Sequence, residues 1–463
     1  WYCYTAYYDL LADAFLHGRT ALPLRPDPKL LSLPDPYDPE QNREYRLHDA
    51  LLYQGRYYLY WGPAPALIVA PIKALWRTQI GDQYLVFAAT AGMLAVTAFL
   101  LTALRRRLFP ALPWWVHVPG LLAVGLGHPI PLVLARAAIY EAAIATAQFF
   151  LLGGLFWAFT ALSGNRCVPW RLAAAGVCWT LALCSRLSLA LAVAVLTVLV
   201  AWRLYRLRGG SGRFGKDFAI PLGLLAVPLL AGAAALAAYN HVRFGSWYEF
   251  GMRYQLAGYN IHAVTATGVG AFAGRFALPG LYAYWVHPFA VTGRYPFVAM
   301  SQAIFRSAPV PGEAVAGALW ALPYLWLGLI PVAGLGVGLV TRCLGRAERN
   351  GSRELLDWFS LCLLSAGLCG MAPVLFIDGC QNRYLADGLP TLLILATLGA
   401  WTGLAALGTR PHSRRVFLGL VSGSTLATAL VGVLLGVSWQ EHCACYRTRS
   451  PSEWYPWKTS VQR

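Results

Sequence analysis

Charge is what this chain has least of. Asp, Glu, Lys and Arg make up 12% of its 463 residues, while 58% are hydrophobic. An average soluble domain carries about a quarter charged residues, so a water-soluble globule is excluded. Several signatures of catalysis are missing too: there is no phosphate-binding Gly loop, no nucleophile elbow and no His spacing suited to a metal. No internal repeat or low-complexity linker is visible, which argues against a transporter assembled from repeats. The charge that exists is lopsided, with a formal net of +17. Nucleic-acid binding does not follow, because the basic residues gather in short loops between apolar runs, as orientation signals do.

Apolar runs dominate between Tyr84 and Ser438. Many approach twenty residues, the length that crosses a hydrocarbon core of ~30 Å at ~1.5 Å per residue. Ten spans are read at 84–104, 113–130, 140–162, 170–185, 187–203, 218–239, 315–341, 356–377, 385–408 and 416–438. The loops on one side then hold seventeen Lys and Arg against four acidic residues, a surplus of thirteen; the remainder holds twenty against sixteen, a surplus of four. The positive-inside rule places the first set in the cytoplasm. Two short spans around Arg186 satisfy that rule, whereas one helix over 170–203 would put five basic residues of 203–217 outside.

The expected organisation is an extracytoplasmic first loop with juxtamembrane helices (1–83), spans over 84–239, an aromatic-rich extracytoplasmic loop (240–314), spans over 315–438 and an extracytoplasmic tail (439–463). The Pro-broken stretch GPAPALIVAPIKALW (62–76) is short for a span and reads as a helix lying at the interface. The opening WYCYTAYY resembles neither a signal peptide nor a span, so an eleventh helix is expected upstream. The fold class is an all-α polytopic membrane protein of the plasma (inner) membrane, with its acid-bearing loops outside.

The first loop concentrates the acids: Asp9, Asp13, Asp27, Asp35, Asp38, Glu40, Glu44 and Asp49. A carboxylate beside a membrane can act as general base on an acceptor hydroxyl, or hold a divalent cation against a phosphate. Asp35 and Asp38, in a D-P-Y-D-P string, are ordinary turn residues. Asp49 stands out because it follows His48 and precedes an aromatic run. Arg136, Arg186, Arg243 and Arg383 fall near the outer ends of spans, where they either snorkel to headgroups or meet a lipid phosphate. Glu141, at a span mouth, and Glu249, in the second loop, could hydrogen-bond sugar hydroxyls or pair with a nearby Arg. Cys3, Cys380, Cys443 and Cys445 face the oxidising side in this topology, where a bridge from the tail to Cys380 is one pairing. No metal ligands are assigned.

Several segments, in order, resemble the C-type glycosyltransferases, which include the protein mannosyltransferases and aminoarabinose transferases. They are YYDLLADAFLHG (7–18), GRYYLYWGPAPAL (55–67), ARAAIYEAA (135–143), YNHVRFGSWYEFG (239–251) and NRYLADGLPTLLIL (382–395). The resemblance implies a polyprenyl-phosphate-linked sugar donor bound at the outer face, inverting transfer, and an acidic first-loop residue as base. It also implies a donor-phosphate contact for Arg383. That family usually has an acidic pair just before the early Tyr-Tyr, where this chain has Tyr4 and Thr5. The base is then Asp9, Asp13 or Asp49, or the chain keeps the fold without catalysis, as a scaffold or lipid-binding subunit of a larger membrane assembly.

Overall fold

In a computed structural model, residues 5–207, 215–266, 273–343, 351–408 and 410–449 are described, with side chains given except at 266, 339, 341–343 and 441–449. Cys3, Cys443 and Cys445 therefore lie outside the described side chains, as does the proposed bridge to Cys380.

The polypeptide begins with helix α1 (Tyr7–Leu16) and a β-hairpin, β1 (Leu51–Tyr53) and β2 (Arg56–Tyr58). Gln54 and Gly55 at its tip both have positive φ, 48° and 71°, the conformation a two-residue hairpin turn needs. Two smaller hairpins occur near residues 290–309, so short antiparallel pairs supplement the expected all-helical class. Helix α2 (Ala64–Trp76) buries Ala64, Ala66, Val69 and Ala70 and exposes Leu67, Ile72, Leu75 and Trp76. One face is thus packed and the other is apolar yet exposed, the character of a helix against a membrane surface.

The long helices follow: α3 (Asp82–Leu108), α4 (His117–Leu126), α5 (Ile130–Ala135), α6 (Ile139–Leu162), α7 (Pro169–Ser185), α8 (Ala190–Leu207), α9 (Lys216–Phe244), α10 (Leu329–Cys343), α11 (Gly351–Met371), α12 (Leu389–Leu407) and α13 (Pro411–Arg449). Among the described residues, seven stretches are long and apolar enough to cross a membrane: 82–108, 139–162, 187–207, 216–244, 351–376, 389–407 and 411–440. Two of the stretches read as single spans are divided. Residues 113–130 form α4 and the beginning of α5, separated at the His128–Pro129 bond, which removes a backbone donor. Residues 315–341 form a helical turn, a 3₁₀ segment over 323–328 and α10.

Helix α3 spans about 40 Å at ~1.5 Å per residue. Its first residue, Asp82, meets Thr5, and its last turn carries Arg105, Arg106 and Arg107, favourably placed against the helix dipole. The first loop and the loop after α9 pack together at the Asp82 end: Arg46 donates to the Ala257 carbonyl at 2.7 Å, and Asn260 donates to Asp35 at 2.7 Å. Acidic loop and arginine triplet therefore occupy opposite ends of the bundle. Close helix approach depends on small residues. A Cβ on Gly154 of α6 would lie 2.1 Å from the Trp179 indole nitrogen of α7, and one on Gly176 would lie 2.4 Å from the Leu225 carbonyl of α9.

Candidate functional site

The site forms where helices are interrupted. α7 ends at Ser185 and α8 is preceded by a 3₁₀ turn at Leu187–Leu189, leaving Arg186 in extended conformation between them. Another 3₁₀ segment, Asn382–Asp387, precedes α12 and carries Arg383, Tyr384 and Asp387. The interruptions face each other. Arg186 Nε donates to both Asp387 carboxylate oxygens, at 2.7 and 2.8 Å, and its guanidinium lies 5.1 Å from the Tyr384 ring centre.

Arg383 is almost completely buried. Its Nη1 donates to Glu313 at 3.2 Å and lies 3.9 Å from Glu141. The longer separation is an ion pair without a hydrogen bond, and among the described residues both Glu141 oxygens lack a hydrogen-bond donor. The guanidinium sits over the Tyr140 ring at 4.2 Å and near Tyr384 at 5.6 Å. Burial alone would lower the Arg383 pKa, but Glu313 and then Glu141 outweigh it and hold the group protonated. Arg136 lies 3.4 Å from the same Glu313 oxygen. The Glu313 position is fixed through the backbone, since its N–H donates to the Cys380 carbonyl at 2.8 Å.

Arg243 is different. Near the end of α9, it donates to the Leu59 carbonyl at 2.7 Å and to Asn240 at 2.6 Å, and packs against the rings of Tyr239 and Phe244. No carboxylate pairs with it among the described residues. Both Arg186 and Arg243 line a cavity of about 500 Å³ that also meets Tyr60, Trp61, Tyr140 and Tyr384. Leu183, Leu187, Leu191, Leu236 and Val374 make the rest of its wall largely apolar. A hollow with an aliphatic wall and two guanidinium groups suits an anionic head on a hydrocarbon chain.

Asp49 stands behind one wall of this cavity. Its φ is +62°, an uncommon conformation for a residue other than glycine. Its N–H donates to the Leu256 carbonyl at 3.0 Å, and Oδ1 accepts from Gln255 at 3.2 Å. The same Gln255 amide reaches the Tyr140 hydroxyl at 3.4 Å, and His48 Nε2 is 3.4 Å from Oδ2. Asp49 is thus one side chain from the cavity wall. Burial, and next the Asp49 and Asp82 charges, push the Tyr7 phenol well up, keeping it neutral.

The other acids lie elsewhere. Asp9, 2% exposed, binds Lys73 Nζ of α2 at 2.6 Å and accepts from the Ile80 N–H at 3.1 Å. Asp13 shares Lys73 at 3.9 Å and approaches His17. This pair faces α2 and fixes it to α1; neither acid lines the cavity. Glu249 pairs with Arg253 at 2.8 Å. Three important residues were not singled out from the sequence. Glu313 lies in an irregular loop with no motif around it. Asp387 is inside the NRYLADG string, five residues after its Asn, and falls within the span read at 385–408. Asp82 accepts from the Thr5 hydroxyl and from the N–H groups of Tyr7 and Tyr8 at 3.1 and 3.2 Å, capping α1 from a distant segment. Among the described residues no group of three His, Cys, Asp or Glu side chains could hold a metal ion.

No family model matches the chain, and no curated protein matches it. Four chains of solved structures are similar, of two proteins. One is an oligosaccharyltransferase from Archaeoglobus fulgidus tethered to an acceptor peptide, with 13% identity and a TM-score of 0.41, covering 94% of this chain and 50% of that one. The other is ArnT from Cupriavidus metallidurans bound to undecaprenyl phosphate, with 13% identity and a TM-score of 0.40, covering 97% and 75%. The chain thus spans about half the length of the oligosaccharyltransferase. At 13% identity and TM-scores near 0.4, neither likeness says what this chain does. What the protein does has to be read from its cavity.

Proposed function

We propose that the protein is a membrane glycosyltransferase that moves a sugar from a polyprenyl-phosphate carrier to an acceptor hydroxyl at the extracytoplasmic face of the plasma membrane. The observation that carries this reading is Arg243: a buried guanidinium with no carboxylate partner among the described residues, on a largely apolar cavity, with Asp49 behind the opposite aromatic wall. Arg243 and Arg186 take the donor phosphate, and the aliphatic wall takes the first prenyl units. Asp49 accepts the acceptor's proton as its oxygen bonds the sugar's anomeric carbon. The bond from that carbon to the phosphate oxygen breaks with its electron pair, and the departing prenyl phosphate gains a negative charge next to the two arginines. Transition-state charge thus develops where the guanidinium groups already are.

Arg383 and Arg136 have a supporting part in this scheme. With Glu141 and Glu313 they form a nearly neutral cluster behind Tyr140, which fixes the aromatic wall instead of binding phosphate. The rival reading, a non-catalytic subunit that only holds lipid, draws on Thr5 in place of the acidic pair. Purified protein with a labelled prenyl-phosphate sugar separates the two. Asp49→Asn should retain lipid binding and lose transfer; transfer at the unsubstituted rate in that variant removes Asp49 as base. Lipid binding without transfer by the unsubstituted protein, across acceptors, favours the subunit.

A further inference from the structure

We propose that the sugar on the lipid donor is uncharged, a neutral hexose or pentose and not an amino sugar or a uronic acid. This rests on the reading above, in which Arg243 and Arg186 hold the donor phosphate, and it adds what that phosphate carries. The charge balance of the cavity comes first. Among the described residues its wall holds two guanidinium groups and no carboxylate. Arg186 is already matched by Asp387 at 2.7 Å, whereas Arg243 has no carboxylate in ion-pair contact among the described residues; Glu249 acts on it only from farther off and is itself held by Arg253 at 2.8 Å, which leaves Arg243 as the one largely uncompensated positive charge. A glycosyl prenyl phosphate is a phosphodiester with one negative charge, and the balance closes. A protonated amino sugar would be buried beside two guanidinium groups with no carboxylate on the wall. A uronate would set a second negative charge against one positive. Burying an unmatched charge is costly, so both are rejected. The neighbouring acids do not change this: Glu141 and Glu313 are held by Arg383, and Asp49 lies behind Tyr140, none of them on the cavity wall.

Trp61 is the second observation. Its side chain is 5% exposed and lines the cavity, yet its indole N–H has no acceptor among the described residues. A buried N–H calls for a partner, and a neutral sugar hydroxyl supplies one. Trp61 is held in place for this. Its ring meets Tyr140 edge-on at 4.6 Å, and the backbone beside it is pressed on the end of α7, where a Cβ on Gly62 would lie 2.0 Å from the Cys184 carbonyl oxygen.

The test uses the full chain in lipid nanodiscs and four probes: a short prenyl phosphate, and the same lipid carrying glucose, glucosamine or glucuronic acid. Dissociation constants are measured near pH 6, below the ordinary amine range, so that the amino sugar is charged. The glucosyl lipid should bind at least about tenfold tighter than either charged analogue, the scale of one unmatched polar contact. Trp61→Phe should cut the glucosyl lipid's advantage over bare prenyl phosphate by about three- to tenfold. A charged sugar binding as well as glucose overturns the proposal, as does an unchanged advantage in Trp61→Phe. If bare prenyl phosphate does not bind at all, the phosphate assignment itself fails, and this inference with it. If it binds and glucosamine is preferred, only the neutral-sugar inference falls.

Discussion

Arg243 and Arg383 are both buried arginines near one aromatic wall, and their replacement should have opposite consequences. In Arg243→Met, the losses in the empty protein are hydrogen bonds to one carbonyl and one amide oxygen, with no carboxylate left behind. Hydrogen bonds involving a charged group are worth about 1.5–3 kcal/mol, and much of that is recovered when Met fills the same space next to Tyr239 and Phe244. Stability should therefore change by about 1 kcal/mol or less. The bound phosphate loses its unmatched cation, so affinity for prenyl phosphate should fall by about 1.5–3 kcal/mol, some ten- to 150-fold. In Arg383→Met, Glu141 loses the charge it faces, and Glu313 keeps only Arg136 at 3.4 Å. Breaking a buried pair by removing one partner costs about 3–5 kcal/mol, so the protein should unfold several degrees earlier. Thermal unfolding in nanodiscs, beside titration with a fluorescent prenyl phosphate, gives both readouts. If Arg243→Met binds the lipid undiminished while Arg383→Met remains stable but no longer binds it, the phosphate belongs to Arg383 and the roles argued from the carboxylates are reversed.

Other expectations follow from individual contacts. Asp49→Asn should lower transfer by about 10²–10⁴-fold, the usual contribution of a general base, with prenyl-phosphate affinity within twofold of the parent; single-turnover transfer and lipid titration test it. Asp9→Asn should destabilise by about 3 kcal/mol because partly buried Lys73 is left with only Asp13 at 3.9 Å, and adding Lys73→Met should restore most of the loss; unequal unfolding midpoints in the single and double variants measure the coupling. Burial lowers the His287 pKa below its usual 6.5, though the Ser301 hydrogen bond opposes this. The unfolded imidazole takes up a proton below 6.5 more readily than the folded one, so acidification should weaken the fold there. That slope should flatten in His287→Gln when unfolding is followed across pH. Gly154→Val should separate α6 from α7, with a loss of thermal stability of several degrees, since the new side chain would collide with Trp179.

The general plan was open to reading because it rests on length and periodicity. Apolar runs near twenty residues, basic clusters at one end and acids at the other specify a polytopic bundle before any contact is known. The interruptions were harder. The break at Arg186 was legible from the charge rule, since one helix over 170–203 would put the basic residues of 203–217 outside, whereas 113–130 kept its hydropathy through Pro129 and looked continuous. At the site, residue type indicated the arginines but could not rank them. Arg383 looked like the phosphate ligand from the family resemblance, yet which arginine has charge to spare depends on Glu313 and Asp387. Each reaches its partner across at least seventy residues of sequence, and no local pattern records such a meeting.

Asp9 shows the same limit from the other direction. Four-residue spacing correctly places Asp9 and Asp13 on one face of α1, where two carboxylates could share a proton or a cation. That face is covered by α2, and Lys73 answers both acids at 2.6 and 3.9 Å. A base must present a lone pair towards the reacting proton, and Asp9, engaged by Lys73 and the Ile80 N–H, does not line the cavity. Asp49 meets it more nearly: its contacts are an amide at 3.2 Å and an imidazole at 3.4 Å, both longer than a charge-assisted hydrogen bond. The acid best placed for chemistry is therefore the one its surroundings hold least tightly.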